Sequence, residues 1–200
     1  IEGNGIVKFD PTGRYLLVTN GTTADIWDVG ARQVAFSLEV GGTIDAAVFS
    51  PDGNILAFGT RTGVETWNII ENRLIYSNRS GPVRAIDYHP EEEIVAAGDT
   101  RGNVSIIDAS GSTTMRETNF EGPIVKLAFQ GNGGTVFAYS ELDEVHKAGT
   151  IQLLQEITNY NRGTTKYRGF SPDGRMGYTG ADGTESFLTL FLSLSTPASQ

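Results

Sequence analysis

Phe49-Ser50-Pro51-Asp52-Gly53 returns almost unchanged as Phe170-Ser171-Pro172-Asp173-Gly174, and three further versions stand at the same interval. Phe9-Asp10-Pro11-Thr12-Gly13 comes first, Tyr88-His89-Pro90-Glu91-Glu92 third, and Phe129-Gln130-Gly131-Asn132-Gly133 fourth, with glycine in place of proline. The aromatics at 9, 49, 88, 129 and 170 give a period of about 40 residues, the mark of an array of like units. Proline at the second position presets φ near −65° and glycine at the fourth accepts the returning chain, which is type I turn chemistry.

Working outward from each turn, an apolar run follows at 15–19, 55–59, 94–98, 135–139 and 176–180. A second polar turn leads to another run, ending in Ile26-Trp27-Asp28, Thr66-Trp67-Asn68 or Ile106-Ile107-Asp108. A further strand closes the unit at 33–38 and 73–76, and small residues break to the next: Gly42-Thr43, Gly81-Pro82, Gly122-Pro123, Gly163-Thr164. Four short strands per unit with no helical periodicity predict an all-β chain of four-stranded antiparallel propeller blades. A β-sandwich has no reason to repeat an aromatic, turn, apolar run and tryptophan at constant spacing. The whole chain, 1–200, is read as one propeller region with repeats at about 5–42, 43–81, 82–122, 123–163 and 164–200.

Composition agrees. Gly 25 in 200 residues, beside abundant β-branched and aromatic residues, fits many strands joined by tight turns. A net charge of −9, from 15 basic and 24 acidic residues, repels phosphate backbones and argues against nucleic acid as the primary ligand. No apolar run approaches the roughly 20 residues of a membrane-spanning helix. Zero cysteines excludes disulfides, zinc ribbons and thiol catalysis. It leaves the redox compartment open, with an intracellular setting, cytoplasmic or nuclear, the expected one. A first residue Ile1 is read as the start of a portion of something longer.

The Phe-Ser-Pro-Asp-Gly turns, with Trp27-Asp28, Trp67-Asn68 and Ile107-Asp108, resemble the WD40 repeat family over essentially the whole chain. The Gly-His that precedes the innermost strand in that family is replaced here by Gly-Thr or Gly-Pro, so the resemblance is to a divergent member. Tyr15-Leu16-Leu17-Val18-Thr19-Asn20-Gly21 and Asn103-Val104-Ser105-Ile106-Ile107-Asp108 also look like YVTN-type propellers. The resemblance implies a ring of blades, mostly seven in WD40 proteins. Five repeats then form either a small ring or part of a six- to eight-bladed one, and the second is the expectation.

In WD40-like blades the turn between the second and third strands shares one face with the break before the first. That mapping groups Arg61, in Thr60-Arg61-Thr62-Gly63, with Arg101, in Thr100-Arg101-Gly102, and Arg84, after Gly81-Pro82-Val83. Three guanidiniums on adjacent blades of an acidic chain could receive a partner's carboxylates bidentately, although most surface arginines only solubilise hairpin tips. The fourth repeat carries surplus residues within 140–149, read as a lengthened loop whose Asp143, Glu144, His146 and Lys147 are candidate partner contacts, or more plainly as a mobile acidic hairpin. Three carboxylates and one histidine on a hairpin tip make a poor metal site, so no metal or cofactor is expected. His89, Ser50 and Ser171 are read as turn residues, not as a base or nucleophiles.

The expected function is a non-catalytic scaffold for other proteins within a larger assembly. Rival expectations are a lactonase- or hydrolase-like propeller enzyme acting at the channel mouth, or a structural subunit that associates with itself.

Overall fold

The computed structural model describes residues 5–109, 114–120, 122–130, 133–142, 145–152, 158–162, 167–170, 177–181 and 184–188, with side chains described at 5–109, 120, 122–130 and 133–141. Every element among them is a strand. The first sheet contains β1 (Val7–Phe9), β2 (Tyr15–Asn20), β3 (Thr23–Asp28) and β4 (Gln33–Glu39). The second contains β5 (Ile44–Phe49), β6 (Ile55–Thr60), β7 (Val64–Asn68) and β8 (Arg73–Ser77). The third contains β9 (Val83–Tyr88), β10 (Ile94–Asp99), β11 (Asn103–Asp108) and β12 (Thr114–Asn119). The fourth contains β13 (Ile124–Phe129), β14 (Thr135–Leu142), β15 (Val145–Gln152) and β16 (Thr158–Arg162). A fifth, three-stranded among the described residues, contains β17 (Tyr167–Phe170), β18 (Gly177–Ala181) and β19 (Thr184–Leu188). Each sheet is an antiparallel meander in chain order.

The repeated turn has a repeated wiring. Asp10, Ser50, His89 and Gln130 each donate their backbone N–H to the carbonyl of the first residue after the turn, Tyr15, Ile55, Ile94 and Thr135, at 2.8–3.0 Å. Gly13, Gly53 and Gly133 lie at φ of 74°, 75° and 71°, where a side chain would strain the backbone. In the first three turns the polar residue after the aromatic closes the turn from within. Asp10 Oδ1 accepts the Tyr15 N–H at 2.6 Å, and Ser50 Oγ accepts that of Ile55 at 2.9 Å. His89 belongs to the same device: its Nδ1 accepts the N–H groups of Glu91 and Glu92 at 3.1 and 2.9 Å. These polar side chains are spent on the backbone, and the turn reading of Ser50 and His89 needs no chemistry of its own.

The surplus of the fourth repeat lies in strands. β14 and β15 run eight residues each and stay paired to Leu142↔Val145, with Ser140↔Lys147 and Glu141↔His146 on the way. The lengthened-loop expectation is corrected accordingly, and the pairing agrees with the hairpin alternative. An insertion divided equally between two paired strands keeps both in register and satisfies their backbone groups, which a free loop would not. Asp143 and Glu144 lie outside the described residues.

Packing between sheets uses the alternation of side chains along each strand. One face of the first sheet offers Tyr15, Leu17, Ala24, Ile26 and Leu38, and against it pack Phe49, Leu56 and Phe58 of the second. The other face of the second sheet, with Val48, Ile55 and Ala57, receives Tyr88 and Val95 of the third. The third in turn offers Ala85, Ile94, Ala96, Val104 and Ile106 to Phe129, Val136 and Ala138 of the fourth. Phe49, Tyr88 and Phe129, each opening a repeated turn, therefore bury themselves on the preceding sheet. Two polar ties cross these seams: Thr66 Oγ1 donates to the Ala109 carbonyl at 3.1 Å, and Asp87 accepts the Phe129 N–H at 2.7 Å.

Candidate functional site

The first strands of the four leading sheets come together around a cavity of about 320 Å³. Residues 6–8, 46–47, 84–86 and 125–127 line it, one short segment from each sheet. Eight of the eleven lining residues are aliphatic, and the other three are long cations, Lys8, Arg84 and Lys126. All three are exposed. Lys8 Nζ also reaches the Ala47 carbonyl, at 3.4 Å. Beside the cavity, on β9, Asp87 is removed from bulk water, which raises its carboxyl above the usual range; hydrogen bonds from Phe129 and Tyr88 and the Lys8 charge pull the other way. Its place is structural, holding the fourth sheet's aromatic turn to the third.

The register puts the turns that carry Arg61 and Arg101 at the same end of the sheets as the starts of the first strands. Thr60 pairs with Ile44, and Asp99 pairs with Val83. Arg84 is one residue into β9 at that end. The three arginines nevertheless do different work. Arg61 pairs with Asp45 at 3.6 Å through a largely exposed side chain. Arg101 is tied into its own turn: Asp99 Oδ2 accepts from Nε and Nη2 at 3.2 Å each, and Nη2 also donates to the Ser80 carbonyl. Arg84 lines the cavity and makes no ion pair with another described side chain. His146 and Lys147 lie on β15, paired with Glu141 and Ser140 of β14.

Lys8 and Lys126 escaped the sequence reading. Aligning the first strands on their closing aromatics would have shown a cation in four of the five, Lys8, Arg84, Lys126 and Arg168, but nothing in a single strand marks it as facing a shared space.

Asp99 anchors the turn below Arg101. Burial pushes its carboxyl up, but the hydrogen bonds from Asn103 Nδ2, the Asn103 and Arg101 N–H groups and the Arg101 guanidinium together hold it below the usual range. Asp52 and Asp10 are likewise lowered: burial raises each, and donors in their own turns outweigh it. A carboxyl whose folded value lies below its unfolded value stabilises the fold above the unfolded pKa, and that contribution is lost as pH falls through the folded one. Stability should therefore decline below about pH 4, near the unfolded carboxylate value. Asp99→Asn should show a shallower decline than wild type over that window in urea titrations at stepped pH. An unchanged slope would remove Asp99 from the acid response.

Four-stranded meanders stacked face to face, with first strands around a shared cavity, are consistent with the blades of a β-propeller. No family model matches the chain. Over 156 residues it is 29% identical to telomerase protein component 1 of Rattus norvegicus, a match covering 75% of this chain and 6% of that protein. Over 113 residues it is 27% identical to the Mus musculus protein of the same name, covering 55% of this chain and 4% of the relative. Angio-associated migratory cell protein of Homo sapiens is 27% identical over 103 residues, covering 48% of this chain and 23% of that protein. The telomerase component and the migratory cell protein are WD-repeat proteins, and the likeness fits a WD40-like family. The chain spans less than a quarter of the length of each of these relatives.

Proposed function

We propose that residues 1–200 form one propeller region that serves as a non-catalytic scaffold, docking an acidic segment of a protein partner at the cavity end of its sheets. The observation that carries this reading is the convergence of Lys8, Arg84 and Lys126, from three different sheets, on one cavity of a chain whose net charge is −9. A local positive patch attracts a partner's carboxylates and orients their approach. Arg84 brings a planar fork that binds a carboxylate bidentately. Arg61 and Arg101 stand at the strand-start end, as Arg84 does, each with a carboxylate beside it, Asp45 and Asp99. The WD-repeat relatives support an interaction role in place of chemistry, since such proteins are generally non-catalytic.

The test is capture from native extract with Lys8→Glu/Arg84→Glu beside wild type. Arg101 is left intact because its loss would also dismantle the Asp99 turn. A discrete partner set should fall by at least roughly tenfold in the variant, the effect of about 1.4 kcal/mol, and wild-type capture should weaken with salt. Equal capture by both proteins would discard the cationic site. Turnover of an ester or lactone substrate by folded protein with no specific partner would favour the enzyme reading, and a mass that grows with concentration the self-associating one.

A further inference from the structure

The lining of the cavity is layered. Two residues back from the closing aromatic of each first strand stand Val7, Ala47, Ile86 and Leu127, all aliphatic and all in the wall. The cations stand off this level. Lys126 is one residue nearer the strand starts and Arg84 two, whereas Lys8 is one residue nearer the aromatic. An aliphatic collar therefore lies between two cations on the strand-start side and one on the other.

Arg84 owes its place to the pairing. β9 sets Ala85 opposite Gly98 and Val83 opposite Asp99, so Arg84 is the extra residue of a β-bulge. The second and fourth sheets skip Asp45 and Val125 at the same level. A bulge takes its residue out of the ladder and re-aims the side chain. Asp45 is paired with Arg61 and Val125 is neutral, so among these three Arg84 alone brings a cation to the wall. Lys126, on the neighbouring sheet, lies within about one strand rise of it, so the two approach one carboxylate from adjacent sheets. At the other level the Lys8 ammonium turns back to the Ala47 carbonyl at 3.4 Å, and its charge reaches Asp87. Lys8 thus closes the collar from the aromatic side. The first sheet leaves one face uncovered, with Phe9 59% exposed against 4%, 7% and 6% for Phe49, Tyr88 and Phe129. The collar is therefore open to solvent beside Val7, which is 66% exposed.

The two halves of the wall differ. Arg84 and Lys126 belong to the third and fourth sheets, while the second sheet contributes only Ala46 and Ala47, whose small side chains leave room. Successive side chains of an extended segment point to opposite sides and advance by about 3.3 Å, which matches a cationic wall facing a roomy aliphatic one about one rise further in. We propose that the docking segment places an aliphatic side chain against the Val7 and Ala47 side of the collar, immediately next in sequence to an acidic residue whose carboxylate is held by Arg84 and Lys126. This rests on the acidic-docking reading and narrows the partner from an acidic segment to an acidic–aliphatic pair.

A synthetic peptide library, acetylated and amidated so that only side chains carry charge, tests it on the native polypeptide that carries these residues, beside its Lys8→Glu/Arg84→Glu variant. Arg84→Gln, which keeps most of the length without the charge, takes over if the double variant does not fold. Peptides held by wild type and lost by the variant should share Asp or Glu next to Leu, Ile, Val or Met. Replacing that aliphatic residue by serine, with the acid kept, should weaken binding at least roughly tenfold in fluorescence anisotropy. Held peptides with no aliphatic neighbour to the acid, or tolerance of the serine, would overturn this inference and leave the acidic-docking reading standing. Equal binding by wild type and variant, or no peptide held at all, would overturn both.

Discussion

Replacing Phe58 with alanine is expected to destabilise the protein by about 3–5 kcal/mol, the usual cost of deleting a buried aromatic and leaving a cavity. For a chain of this size that corresponds to a fall in Tm of roughly 10 °C. Phe58 is among the largest side chains with no exposure, on the central strand β6. It fills the seam between the first two sheets, with Leu17, Ile26 and Leu56 in the same cluster. Neighbouring residues are held by sheet hydrogen bonds on both sides and cannot collapse into the void. Trp67 packs against this cluster, so its fluorescence reports the transition directly in a guanidinium titration. A loss below about 1 kcal/mol would mean that the seam is loosely packed and relaxes around the deletion. Leu74→Ala, on the exposed outer strand of the same sheet, should fall within about 0.5 kcal/mol of wild type and serves as the control.

The second large effect comes from adding atoms. A Cβ at Gly98 would run into the Cγ2 of Ile124 and stand 2.6 Å from its Cβ. Ile124 opens the first strand of the fourth sheet and has no exposure, so it has nowhere to retreat. Overpacking of this sort costs about 1–3 kcal/mol. Gly98→Ala should therefore destabilise, although alanine is normally the better strand residue. The diagnostic is Gly98→Ala/Ile124→Ala, which should cost less than the two single changes summed, because trimming Ile124 relieves part of the clash. Strict additivity in urea denaturation would show that the third and fourth sheets do not meet at this point. Gly59 occupies the equivalent place one repeat earlier, where a Cβ would meet Val83 Cγ1 at 2.8 Å. Its substitution should be felt between the second and third sheets.

Both changes act on seams, and the seams separate what was legible in the sequence from what was not. The turns were legible because their chemistry is local. Asp10 or Ser50, a proline and a left-handed glycine sit within five residues of one another, and their hydrogen bonds close inside the turn. The strands were legible because each turn is followed by an apolar run of fixed length. Even Gly59 and Gly98 stood out as the last residues of such runs, but not the Val83 and Ile124 side chains that require them.

The candidate site was only half legible. Arg61, Arg84 and Arg101 were found because they occupy equivalent or neighbouring places around one end of the repeat. Their partners were not, since Asp45 lies 16 positions before Arg61 and comes back to it only through β5–β6 pairing. Lys8 and Lys126 were missed for a stronger form of the same reason. They belong to the first and fourth sheets and meet Arg84 only when three seams are closed. The surplus in the fourth repeat was visible as length, yet its distribution between β14 and β15 depends on pairing that composition does not encode.

By itself, then, the sequence determined the repeated unit, its four strands and its turns, because those follow from backbone preferences and hydrogen bonds within a few residues. Only the tertiary structure decided which cations share a cavity, which arginine is tied into a turn, and which face of the first sheet is left uncovered. The cavity and the uncovered face depend on residues about 40 or more positions apart, set by how one sheet packs on the next, and the arginine's tie depends on side-chain geometry within its own turn.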